Sequence, residues 1–263
     1  MMTSIFETND LYPGYDVPLK QHFSSYFNSV YICLSPFFIM SSGEANRDGL
    51  RRSEIISLEE LQSIDKVFEA LDPSVERVIY SNANFNYPGT DDIVTAGLPV
   101  TWNYIKENAN FGSYSEINFA LRTSIGALRS KYERKDLQKK LDIFTDKESI
   151  YNPGEGRITP LSLIKIYFCL KSLDKSEIVV TDEFFDNRFT INLNNLSVTE
   201  FIERTFGYMY YFPSDRSLLF TIEWDSFFYL IAGNKNLLNG IIKKFAFEGF
   251  YADDTTYHNW EFA

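Results

Sequence analysis

The sequence predicts an α+β fold, in which mixed helices precede a C-terminal antiparallel sheet. Three observations carry this. Apolar stripes at spacings of three and four mark helices in the first two thirds of the chain. From Tyr208 onward the pattern reads strand, turn, strand, turn, strand, helix, strand. No βαβ alternation of the kind a parallel sheet requires runs through the 263 residues.

Each element has a local reason. Leu11–Pro18 (LYPGYDVP) is a turn-rich entry, punctuated by proline and glycine. Val30–Met40 reads as one buried strand ending near Pro36, and Ser41–Ser53, with Arg47, Arg51 and Arg52, as a polar loop. Ser57–Leu71 is a helix: Ser57 and Glu60 form an S-x-x-E capping box, and Leu58, Leu61, Ile64, Phe68 and Leu71 share one face. Asp72-Pro73 stops it. Arg77–Ser81 reads as a strand, Asn82–Thr90 as a loop and Pro99–Asn108 as a helix. Ser113–Tyr132 repeats the box with Glu116 and carries a stripe through Ile117, Leu121, Ile125, Leu128 and Tyr132, with continuation after a break to Phe144.

Thr159 caps the next helix, and Pro160 takes its first position, where a missing N–H has no partner to lose. That helix runs to Leu173, followed by strands at Glu177–Thr181 and Phe189–Leu193 and a boxed helix at Ser197–Thr205. Tyr208–Phe212, Ser217–Trp224 and Phe227–Ala232 form the C-terminal strands; Asn234 caps a helix to Lys244, and Glu248–Ala252 closes the set. The chain is read as a single α+β domain over 1–263, with a lobe boundary near 145–157, where the sequence turns polar and rich in Gly and Pro.

Composition narrows the function. Twenty-five basic against thirty-six acidic residues give a net charge of −11. Such a field opposes a phosphate backbone or an anionic membrane surface and suits a basic protein partner. Cys33 and Cys169 lie in apolar stretches and read as buried, reduced thiols. The N-terminus lacks a basic, apolar leader pattern, and no apolar run is long enough to span a bilayer, so a cytoplasmic protein is expected. Phosphate-cradling, dinucleotide and zinc-protease motifs are missing, and no cofactor is expected.

The candidate binding residues are Glu223, Trp224, Asp225, Asp253, Asp254, His258 and Trp260. Trp224, Phe227, Phe228 and Tyr229 bracket a hairpin turn with Glu223 and Asp225; if alternate members point outward, they make an acidic aromatic surface for a basic protein. His258 lies in YADDTTYHNWE, near Asp253 and Asp254. With Glu223 or Asp225 these acids could hold a divalent ion, or Asp254 could orient His258 for acid–base work. The bland alternative is a polar loop with Trp260 tucked against the sheet. Elsewhere the competing structural reading is favoured. Asp182, Glu183 and Asp186 form a solvated strand end near Arg188, and NPGEGR at 152–157 is a connecting turn. Arg129–Lys140 is a solvated helix face with Arg129/Glu133 and Asp136/Lys140 pairs, and His22 is a surface imidazole.

The runs DSFFYLIAG (Asp225–Gly233) and EGFYADDTTYHNWEF (Glu248–Phe262), with YPGYD (Tyr12–Asp16) and LSPFF (Leu34–Phe38), resemble a Bacillus-type family of uncharacterised bacterial proteins classed as a domain of unknown function. The hairpin–helix–aromatic-tail order is also similar to bacterial immunity proteins. The expectation is therefore a non-catalytic binding protein, immunity-like, acting through an acidic aromatic surface. The alternatives are a metal-dependent enzyme with a carboxylate/His258 site and a small-ligand sensor.

Overall fold

The computed structural model describes residues 6, 11–41, 54–64, 74, 76–80 and 87–262. It is an α+β protein built on a seven-stranded sheet with every neighbouring pair antiparallel. Its strands are β1 (Ser29–Leu34), β6 (Glu177–Thr181), β7 (Arg188–Asn192), β8 (Tyr210–Pro213), β9 (Leu218–Thr221), β10 (Phe228–Gly233) and β11 (Gly249–Tyr251). They lie in the order β11-β1-β10-β9-β8-β6-β7. The sheet is thus not wholly C-terminal. The first strand of the chain is inserted between two of the last, with Cys33 opposite Tyr229 on one side and Gly249 on the other.

Gly249 is required at that seam. Its φ is 154°, and a Cβ there would lie 1.9 Å from the Ile32 carbonyl oxygen.

Both faces of the sheet are covered at its central strands, whereas the edge strand β7 leaves Arg188, Thr190 and Asn192 exposed. Every residue of β1 and β10 is buried, so Phe227, Phe228 and Tyr229 do not alternate between core and solvent as expected. An outward strand position reaches water only where nothing packs on that face. One face carries Cys33 and Tyr229 under α7 (Pro160–Ser172). On the other, the Trp260 ring meets those of Phe228 and Phe250, so the C-terminal segment 252–262 folds back as a cover.

The remaining elements are α1 (Leu19–Phe23), α2 (Leu58–Ile64), α3 (Thr90–Ala96), α4 (Trp102–Asn108), α5 (Tyr114–Ser124), α6 (Lys135–Lys147), α8 (Val198–Thr205) and α9 (Lys235–Phe245). Two small pairs join them: β2 (Phe37–Met40) with β5 (Gly97–Val100), and β3 (Glu54–Ser57) with β4 (Arg77–Tyr80).

Several boundaries move from their expected places. Val30–Met40 is two strands, because Ser35-Pro36 breaks the ladder and β2 changes partner to β5. Pro99 lies in that partner strand, opposite Phe38, and the helix starts later, with Thr101 accepting from the Tyr104 N–H. Helix α3 begins at Thr90, the last residue of the expected loop, and fills a stretch to which the sequence pattern assigns no element. Helix α5 stops at Ser124; Gly126 has a φ of 69°, and only a short turn forms at Ser130–Tyr132. Most of the expected Ser41–Ser53 loop, the second half of the Ser57–Leu71 helix with its Asp72-Pro73 stop, and positions 81–86 lie outside the described residues.

The capping boxes at Ser57 and Ser197 form as read. In each, the glutamate three residues on accepts from the serine N–H, and the serine oxygen accepts from the glutamate N–H. At Ser113 the box is displaced by one residue: Ser113 Oγ accepts from Glu116 N–H, while the Glu116 carboxylate takes the Gly112 N–H.

Candidate functional site

Four segments meet beyond one end of the central strands: the entry turn 11–18, the turn after β9, the C-terminal segment 252–262 and the end of α5. Each is placed for a local reason. The β9–β10 turn closes with Ser226 N–H donating to the Glu223 carbonyl. Gly156 locks it from outside: its N–H donates to Ser226 O at 3.0 Å, and a Cβ at its φ of 61° would fall 2.1 Å from Trp224 O. The C-terminal segment is pinned by Leu19 N–H to Thr256 O (2.9 Å) and Ala252 N–H to Val30 O (3.0 Å).

His258 is the hub and is only 2% exposed. Its Nε2 lies 2.9 Å from Glu223 Oε2, and its Nδ1 lies 2.8 Å from the Tyr12 hydroxyl. The rings of Tyr12, Tyr15 and Phe228 surround it at centroid distances of 5.4, 4.4 and 5.7 Å. Tyr15 donates its hydroxyl to the same Glu223 oxygen at 2.9 Å. Burial pushes the Glu223 carboxyl up, but the hydrogen bond and charge of His258, the Tyr15 hydroxyl and Arg122 outweigh it. The net result lies below the usual carboxylate value. Burial, followed by the Glu223 charge, drives the Tyr15 and Tyr12 hydroxyls well above the ordinary phenol range.

Beside this hub, Arg122 of α5 donates through Nη1 to Asn259 Oδ1 at 3.2 Å and to Glu261 Oε1. The pair is enclosed, with side chains 7% and 0% exposed. Arg122 also lines an open cleft of about 590 Å³ with Arg129, Tyr15, Tyr132, Asp225 and Phe262. The three rings are exposed, and Phe262 packs edge-on against Tyr132 at 5.2 Å. Lys131 sits 4.6 Å from the Tyr132 ring centroid, and Asp225, which lines the cleft, is exposed.

The candidate residues therefore separate. Glu223 and His258 join, Asp225 lines the cleft, and Trp224 projects next to it at 58% exposure. Trp260 is buried against the sheet. Asp253 and Asp254 do not enter. Asp253 holds the turn by accepting from Thr255 and Thr256, and Asp254 pairs with Lys20 at 2.5 Å. Asp254 thus does not orient His258, and among the described residues no three metal-binding side chains converge. Asp182 takes the Asn187 amide at 2.6 Å, while Arg188 donates to Phe6 O instead of to that acid cluster. Asp136 pairs with Arg134, and Lys140 donates to Asn110 O, so the expected Asp136/Lys140 pair is replaced. His22 is half-buried beside the Phe23 ring.

Sequence reasoning did not single out Arg122, Tyr15 or Tyr12 as site residues. Arg122 directly follows Leu121 of the apolar stripe, where a charged residue reads as the wet edge of a helix. Tyr12 and Tyr15 stand in the YPGYD run, whose turn chemistry gives no hint of a histidine 246 residues beyond Tyr12.

Among the described residues no helix is long and apolar enough to cross a membrane. No solved structure matches the chain significantly. The uncharacterized protein YwbB of Bacillus subtilis (strain 168) is 21% identical over 174 residues, which cover 66% of this chain and 77% of that protein. The family described as "Protein of unknown function (DUF2711)" matches residues 15–262, from one cleft residue, Tyr15, to another, Phe262. The chain belongs to that family.

Proposed function

We propose that this is a non-catalytic binding protein whose recognition site is the cleft beside Arg122. One observation carries the reading: three exposed aromatic rings border a concavity of about 590 Å³ that also exposes part of a buried arginine. That volume is in the range of small-molecule sites. Tyrosine and arginine are also the side chains in which binding energy concentrates.

The neighbouring network favours binding over catalysis. A general base needs a free lone pair within reach of its substrate. Both His258 nitrogens are engaged, and the ring is 2% exposed. The Tyr15 hydroxyl is held protonated and points its hydrogen at Glu223.

The test is thermal unfolding in the low-molecular-mass extract of the source cells. A ligand near saturation raises the midpoint by roughly 5 °C. The wild type should show this rise, and Tyr132→Ala should lose most of it. An unchanged wild-type midpoint overturns the reading.

A basic protein segment is a second reading, favoured by the exposed Trp224 beside Asp225 on a chain of net charge −11. It predicts the rise in the macromolecular fraction instead, with loss in Trp224→Ala.

A further inference from the structure

We infer that the cleft takes a free α-amino acid, with its carboxylate toward Arg122 and Arg129, its ammonium toward Asp225 and an apolar or aromatic side chain among the rings. This rests on reading the cleft as the recognition site.

The charged groups favour this class. A guanidinium carries five N–H donors in a planar fork suited to carboxylates. Arg122 commits Nη1 to Asn259 and Glu261. Its Nε is buried without a hydrogen bond, and among the described residues Nη2 makes none either. Nη2 is not among the enclosed atoms, so it is the donor that Arg122 can offer to a carboxylate in the cleft it lines.

Glu261 balances the charge of Arg122, with its own Oε2 enclosed and without a hydrogen bond, and Arg129 adds positive charge to the cleft. A plain anion would meet Asp225, with Glu223 behind Tyr15. A plain cation would meet the arginines. Arg122, Arg129 and Asp225 line the same cleft of about 590 Å³, so one small molecule in it meets both signs. Tyr15, Tyr132 and Phe262 offer ring faces and edges to a side chain, and ring faces also attract an ammonium group.

The experiment is thermal unfolding and calorimetric titration of the full chain with each of the standard amino acids. The strongest is then compared with its deaminated and decarboxylated analogues. At least one amino acid should raise the midpoint, and each analogue should bind about tenfold more weakly or worse. Arg129→Gln and Asp225→Asn, both at exposed positions that keep the fold, should each weaken binding about tenfold. Equal binding of the deaminated analogue overturns the inference in favour of a plain anion. If no amino acid acts but the low-mass extract does, the inference falls and the recognition site stands. If neither acts, both fall.

Discussion

At the scale of single residues, the Arg122–Glu261 pair anchors the C-terminal segment to α5. Truncating one partner of a buried pair leaves the other charge without compensation, at about 3–5 kcal/mol. Arg122→Met is expected to lose that much in urea denaturation. Combining it with Glu261→Leu should recover most of the loss, because two apolar groups need no counter-charge. A single variant within about 1 kcal/mol of wild type would show that the pair is not an anchor.

Glu223 predicts an acid limb. Its folded value lies below the unfolded one of about 4.3, so the stability it adds is full above that pH. The contribution disappears as pH falls through the lower folded value. Glu223→Gln should flatten this part of the stability–pH curve; an unchanged acid limb would contradict the role given to His258 and Tyr15. The sequence offers His258 and Glu223 as candidates, with Asp254 as the acid that could orient His258 and Glu223 as a metal ligand. Asp254 is four residues away from His258, yet its side chain turns to Lys20, whereas Glu223 arrives through the sheet.

At the scale of elements, the local signals were reliable wherever a cap decides the boundary. Ser57, Thr159, Ser197 and Asn234 all do the work their side chains imply, because a cap depends on neighbours within three residues. Helix α4 differs. Besides Thr101, its first N–H groups are held from another element: Glu248 accepts from both Trp102 and Asn103 at 2.7 Å. No pattern near residue 102 announces that contact. Losing a cap costs about 1–2 kcal/mol. Glu248→Ala should therefore destabilise the protein by about that amount and increase amide exchange at Trp102 and Asn103. Unaltered protection there would show that Glu248 does not hold those N–H groups. Pro99 departs from the expected helix start for a related reason: a proline suits a helix start, but it also suits a short edge strand, and only the partner Phe38 decides between them.

At the scale of the whole molecule, one core runs from Phe6 to Trp260 and encloses both thiols. Burial pushes Cys33 and Cys169 up to about 12, so little thiolate exists in the native state. Labelling by a disulfide reagent should be slow for both cysteines in native buffer and track global unfolding, with both reacting at once in denaturant. Rapid reaction of either in native buffer would reveal an opening of the core. The α+β class, the capped helices, the hairpin strands and the buried thiols were decided by the sequence itself, because periodicity and capping are properties of a few adjacent residues. Tertiary structure alone decided that β1 enters between β10 and β11, that helices and the C-terminal segment cover both faces of the central strands, and that Tyr12, Tyr15, Arg122, Glu223 and His258 share one corner. Those outcomes depend on pairings across almost the full length of the chain, and a strand's local pattern carries no record of which distant strand or cover will lie against it.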